Sequence, residues 1–119
     1  MARTIPIFAA KTASTAAPLE FRVSPPLALY VHVPWCVQKC PYCDFNVYAA
    51  KARDTDPLYR GLLDDLSGWR ERTGERQVAS IFLGGGTPSL MTGERVAGVI
   101  AQVDQLWGLK PGAEITLEA

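Results

Sequence analysis

The chain reads as an α/β protein built on a parallel sheet. Two short apolar, β-prone runs, residues 27–33 and 78–83, are each followed by a stretch whose apolar residues recur at helical spacing. A third run, residues 114–118, closes the sequence. Strand–helix alternation of this kind sets parallel strands side by side, joined by right-handed crossovers.

The elements follow in order. Residues 1–26 are rich in Ala, Thr and Ser and end in Ser24-Pro25-Pro26. They carry Arg3, Lys11 and Arg22 against Glu20 alone, and they read as a poorly ordered leader. An organelle-import peptide is the sharper alternative. Pro6 interrupts the apolar stretch between Arg3 and Lys11, which argues against a secretory signal. Leu27 to Val33, bounded by prolines, predicts a buried strand, and a loop from Pro34 to Asn46 follows. Asp56-Pro57 is a helix start: Asp caps free N–H groups and Pro suits the first turn. Leu58, Leu62, Leu66 and Trp69 form its apolar face, and Gly74 is its stop. Residues 78–83 predict a second buried strand running into Gly84-Gly85-Gly86-Thr87-Pro88-Ser89. A second helix begins at Thr92, with Val96, Val99, Ile100, Val103 and Leu106 as its stripe. Gly108 and Pro111 end it, and the third strand runs to Glu118.

Composition narrows the function. The 119 residues are 48% hydrophobic, and 12 basic side chains balance 12 acidic ones. Zero net charge argues against a protein that grips nucleic acid through its phosphates. No apolar run approaches the ~20 residues a membrane span needs. The three cysteines are too few, and odd in number, for a disulfide framework. The chain therefore reads as cytoplasmic.

All three cysteines fall within eight residues, as Cys36-x3-Cys40-x2-Cys43. Thiolate sulfur is a soft ligand for zinc or iron–sulfur clusters. A four-iron cube takes four ligands, so three cysteines leave one iron open to a small molecule. A Cys3His zinc module completed by His32 is the main alternative. His32 is otherwise a satisfied core or loop histidine. The glycine triplet lacks the Lys-Ser/Thr pair of a phosphate-binding P-loop and the spacing of a dinucleotide fingerprint. It is either a plain strand-to-helix turn or a place where backbone approaches a ligand closely. Glu118 sits at a strand's C-terminal end, where open α/β sheets bind ligands. It is either a ligand acceptor or a solvated glutamate.

These residues resemble a known family. Cys36-x3-Cys40-x2-Cys43 after a strand is similar to the signature loop of the radical S-adenosylmethionine (SAM) enzymes. Tyr30-Val31-His32-Val33-Pro34-Trp35-Cys36 and Cys40-Pro41-Tyr42-Cys43-Asp44-Phe45-Asn46 resemble the coproporphyrinogen dehydrogenase/heme-chaperone branch. So do Gly84-Gly85-Gly86-Thr87-Pro88-Ser89 and Ile115-Thr116-Leu117-Glu118-Ala119. The resemblance covers about residues 27–119. Trp35 stands where the family usually has Phe or Tyr. The oxygen-independent coproporphyrinogen III oxidases carry a fourth cysteine two residues after the third; Phe45 occupies that place here, as in the heme-chaperone type.

The resemblance implies the N-terminal part of a partial (β/α)6 barrel, with residues 27–119 as an incomplete core. It implies a [4Fe-4S] cluster on Cys36, Cys40 and Cys43, and SAM contacts at Tyr30, Tyr42, Gly85, Gly86, Thr87 and Glu118. It implies SAM cleavage to methionine and a deoxyadenosyl radical, although in a chaperone that cleavage need not be the function. Its partners would be heme, heme-acceptor proteins and an electron donor. Porphyrinogen decarboxylation is the competing function within the branch.

Overall fold

The computed structural model describes residues 20, 22–49 and 56–119. Most of the predicted leader, residues 1–19 and 21, lies outside them. Residues 22–26 are exposed and belong to no helix or strand, and the Pro25 carbonyl accepts a hydrogen bond from Arg76.

Three strands form a parallel sheet in the order β1 (Leu27–Val33), β4 (Val78–Gly85), β5 (Leu109–Leu117). Two further strands, β2 (Trp35–Cys36) and β3 (Tyr48–Ala49), pair in parallel as a separate ribbon. The helices are α1 (Asp56–Thr73) and α2 (Gly93–Trp107), with a 3-10 turn at Pro88–Leu90. The predicted alternation is therefore the observed one.

The register explains which side is buried. Leu29, Ile81 and Ile115 are partners, as are Val31, Leu83 and Leu117, and their side chains share the helix-covered face. Val31, Val33, Ile81 and Leu83 join Leu66, Val99, Val103 and Trp107 in one core. Tyr30, Phe82 and Thr116 lie on the opposite face, as do His32 and Gly84. The first strand is thus buried on one face only: Tyr30 is 57% exposed.

Other differences have local causes. The second strand runs two residues past Leu83, because Gly84 and Gly85 keep pairing with His32 and Val33. The third begins at Leu109, since Gly108 (φ 77°) ends α2 and turns the chain straight into it. Pro111 therefore lies inside β5 rather than ending the helix. An irregular register between Val78 and Ser80 accommodates it, together with Gly112 at φ 75°. An edge strand tolerates the missing donor. Trp69 belongs to the predicted stripe yet is 47% exposed. It borders a groove with Leu27, Leu29 and Leu62 beside β1, an edge strand, and the Arg72 guanidinium lies over its ring, 5.1 Å from the centroid.

Hydrogen bonds lock the helix pair at both ends. Thr92 caps α2 by accepting from the Arg95 amide at 3.3 Å. Asp56 pairs with Arg95 at 3.1 Å and with Arg60 at 2.7 Å. At the other end the buried Trp107 indole donates to Thr73 Oγ1 at 2.8 Å, and Arg70 Nε donates to the Leu106 carbonyl at 2.7 Å.

Candidate functional site

The C-terminal ends of the three parallel strands lie side by side. Cys36, Gly85, Gly86, Thr87 and Glu118 lie at or just beyond them, while Tyr42 and Cys40 stand out on the cysteine loop. The glycine loop is laced onto the strand entering the cysteine loop. Gly86 N–H donates to the Val33 carbonyl at 2.8 Å, and Thr87 N–H to the Trp35 carbonyl at 2.7 Å. These bonds bring Gly86 against Cys36. A Cβ at Gly86 would stand 2.5 Å from the Trp35 carbonyl oxygen and 2.9 Å from Cys36 Sγ. Only glycine permits that approach.

Gly85 adopts φ +111°, and a Cβ there would meet the His32 ring at 2.7 Å. Gly84 is equally confined, with Phe82 on one side and Glu118 Oε2 3.0 Å from a virtual Cβ. The Glu118 amide donates to the Leu83 carbonyl at 3.1 Å, which holds its side chain over this glycine. Tyr30 stacks on Phe82 with ring centroids 6.0 Å apart. Tyr30, His32, Gly84, Gly85 and Glu118 thus share one open face.

The cysteine loop is anchored at its two ends. Tyr48 N–H donates to the Pro34 carbonyl at 2.7 Å, and Val47 is buried. The Trp35 and Tyr48 rings meet edge to face at 6.2 Å. Between these anchors the chain turns through Cys40 and Cys43, whose backbones bond at 3.1 Å. All three cysteines are free thiols; Cys40 is exposed, Cys36 and Cys43 half-buried. Among the described residues no three His, Cys, Asp or Glu side chains converge as a ready-made metal site. Tyr42 stands 86% exposed on the outer turn, away from strand packing. A hydrogen bond with Cys40, and the charge of the ionised thiol, push its phenol pKa above the ordinary value.

The donor set suits a soft polynuclear centre. Three thiols lie on one short loop, one of them against a glycine backbone that no side chain can replace. Both ring nitrogens of His32 are engaged, with Tyr30 and with Asn46, and in this structure the ring does not join the cysteines. The satisfied-histidine reading is the one observed. Phe82 and Asn46 escaped sequence reasoning. Period-2 alternation from Ile81 and Leu83 puts Phe82 on the Tyr30 face, so that signal was present. The Asn46 contact uses a main-chain carbonyl, which leaves no trace in side-chain identity.

Comparison with known proteins decides the lineage. The chain is 46% identical over 100 residues to heme chaperone HemW of Haemophilus influenzae, covering 80% of the chain and 26% of that protein. It is 48% identical over 96 residues to HemW of Escherichia coli, covering 80% and 25%. The chain is a homologue of the HemW heme chaperones, within the radical SAM superfamily. Radical S-adenosyl methionine domain-containing protein 1 of Bos taurus mitochondria is 44% identical over 92 residues, covering 77% and 21%. The solved structure of coproporphyrinogen III oxidase (HemN) from Escherichia coli, a radical SAM enzyme, superposes with a TM-score of 0.67. That match has 25% identity and covers 76% of the chain and 21% of the oxidase. The fold is thus that of the N-terminal region of the radical SAM oxidase. No protein-family profile matches. The chain spans about a quarter of the length of its curated relatives. Among the described residues no helix is long and apolar enough to cross a membrane.

Proposed function

We propose that residues 27–119 carry the cluster- and SAM-binding part of a heme-chaperone-type radical SAM protein, with residues 1–26 as a leader before it. The observation that carries this is the pair of main-chain bonds from Gly86 and Thr87 that seat the glycine loop against Cys36. Cys36, Cys40 and Cys43 hold a [4Fe-4S] cluster as thiolates, leaving one iron for SAM. When bound, that cluster supplies the electron for SAM chemistry. The chain's own residues position the ligand. Gly85 and Gly86 admit it to bare backbone, Thr87 and Tyr42 flank it, and Tyr30 and Glu118 offer oxygen acceptors from the sheet face.

The whole protein binds heme and passes it to acceptor proteins, draws on an electron donor, binds no nucleic acid, and works in the cytoplasm. HemW homology supports the heme assignment. Iron and sulfide analysis of the anaerobically reconstituted whole protein tests the cluster. About four of each per chain, with visible absorbance lost in the triple Cys→Ala variant, is expected; one zinc without sulfide overturns it.

The likeness to the oxidase favours one second reading, decarboxylation of coproporphyrinogen III. Phe45 in place of the fourth cysteine weighs against it. Anaerobic incubation with porphyrinogen, SAM and reductant separates the two. Stoichiometric vinyl product supports the oxidase; heme binding without turnover supports the chaperone.

A further inference from the structure

His32 sits at the C-terminal end of β1 on the open face, opposite Gly84. Its Nε2 lies 3.0 Å from the main-chain carbonyl oxygen of Asn46, fourteen residues on, where the cysteine loop returns. Its Nδ1 lies 3.0 Å from the Tyr30 hydroxyl. The ring rests on Gly85, where a Cβ would stand 2.7 Å from Cε1 and Nδ1.

We propose that His32 is a positioning residue with two tasks: it fastens the returning end of the cysteine loop to the sheet, and it sets the polarity of the Tyr30 hydroxyl. A carbonyl can only accept, so Nε2 carries the hydrogen. In the neutral ring Nδ1 is then bare and accepts, and Tyr30 O–H is the donor. Tyr30 has a single hydroxyl hydrogen, and it points inward at His32. Its oxygen faces outward as an acceptor, on the same face as the Glu118 carboxylate. A surface of acceptors selects a ligand portion made of donors, an ammonium or a ribose hydroxyl, over a carboxylate. The second task rests on the assignment of Tyr30 to the SAM pocket; the first does not.

Two substitutions separate the tasks. In His32→Gln the amide nitrogen can take the place of Nε2 and hold Asn46, while the Tyr30 pairing is lost. In His32→Ala both are lost. Amide hydrogen exchange at Val47 and Tyr48 in the cluster-free whole protein reads the first task. Exchange is expected to rise about three- to tenfold in His32→Ala and to stay near wild type in His32→Gln. SAM titration of the reconstituted protein reads the second. Affinity is expected to fall about three- to tenfold in His32→Gln, with no further loss when His32→Gln is added to Tyr30→Phe. Wild-type exchange in His32→Ala overturns the anchor. Unchanged SAM affinity in His32→Gln, or full additivity with Tyr30→Phe, overturns the polarity. A wild-type protein that binds no SAM overturns the pocket assignment and the second task with it, while the exchange result still decides the first.

Discussion

Glycines show most directly how one residue's environment sets the effect of changing it. Gly86→Ala places a methyl against backbone, the Trp35 carbonyl, and against Cys36 Sγ. Neither can swing aside like a flexible side-chain tip, so the loop must move. A loss of about 1–3 kcal/mol in urea-induced unfolding is expected, with lower iron retention after reconstitution. Gly61 and Gly68 are opposite cases, lying inside α1 with nothing within 4 Å of an added Cβ. Replacing both with alanine should raise stability by about 0.5–1 kcal/mol each, measured the same way. All these glycines look alike in the sequence. Neighbouring backbone, invisible there, makes one indispensable and the others dispensable.

At the scale of elements, α2 was the most legible. Its valines at helical spacing bury completely at Val99 and Val103, and Thr92 caps it as expected. Thr92→Ala should cost about 1 kcal/mol by chemical denaturation. Trp107 lay outside the predicted stripe yet is buried, because the end of α1 presents Thr73 to its indole. Trp107→Phe keeps most of the apolar area and loses that bond. A penalty of about 1 kcal/mol is expected, and Thr73→Val on that background should add little. Periodicity reports one helix's own face. Contacts between helix ends depend on where the partner helix stops, which no local pattern encodes.

Among the described residues the parallel sheet has one side covered and the other open. Helices shield one face, while Tyr30 and Phe82 remain exposed on the other. On the covered side Ile115 and Leu117, each 42% exposed, show that cover thins out over β5, an edge strand. Exposed apolar edges promote association. The 119-residue chain taken alone is expected to self-associate as its concentration rises, and Ile115→Lys should reduce this in light scattering. A wild-type chain that stays monodisperse would refute the expectation.

Legible in the residues alone were the alternation of elements, most of each helix's buried face and the clustering of three thiols in one loop. These depend on residue type and short-range spacing: thiols within one loop, valines at 3.6-residue period, glycines after a strand. Tertiary structure alone decided which strands are neighbours, and so which residues share the open face. It seated Gly86 against Cys36, laid Glu118 over Gly84, and gave His32 its two partners. His32 meets Asn46 through the return of the cysteine loop, fourteen residues on. The other two meetings arise from parallel pairing, of β1 with β4 some fifty residues apart and of β4 with β5 some thirty-four apart. Main-chain hydrogen bonds make that pairing, and every residue except proline carries the same donor and acceptor.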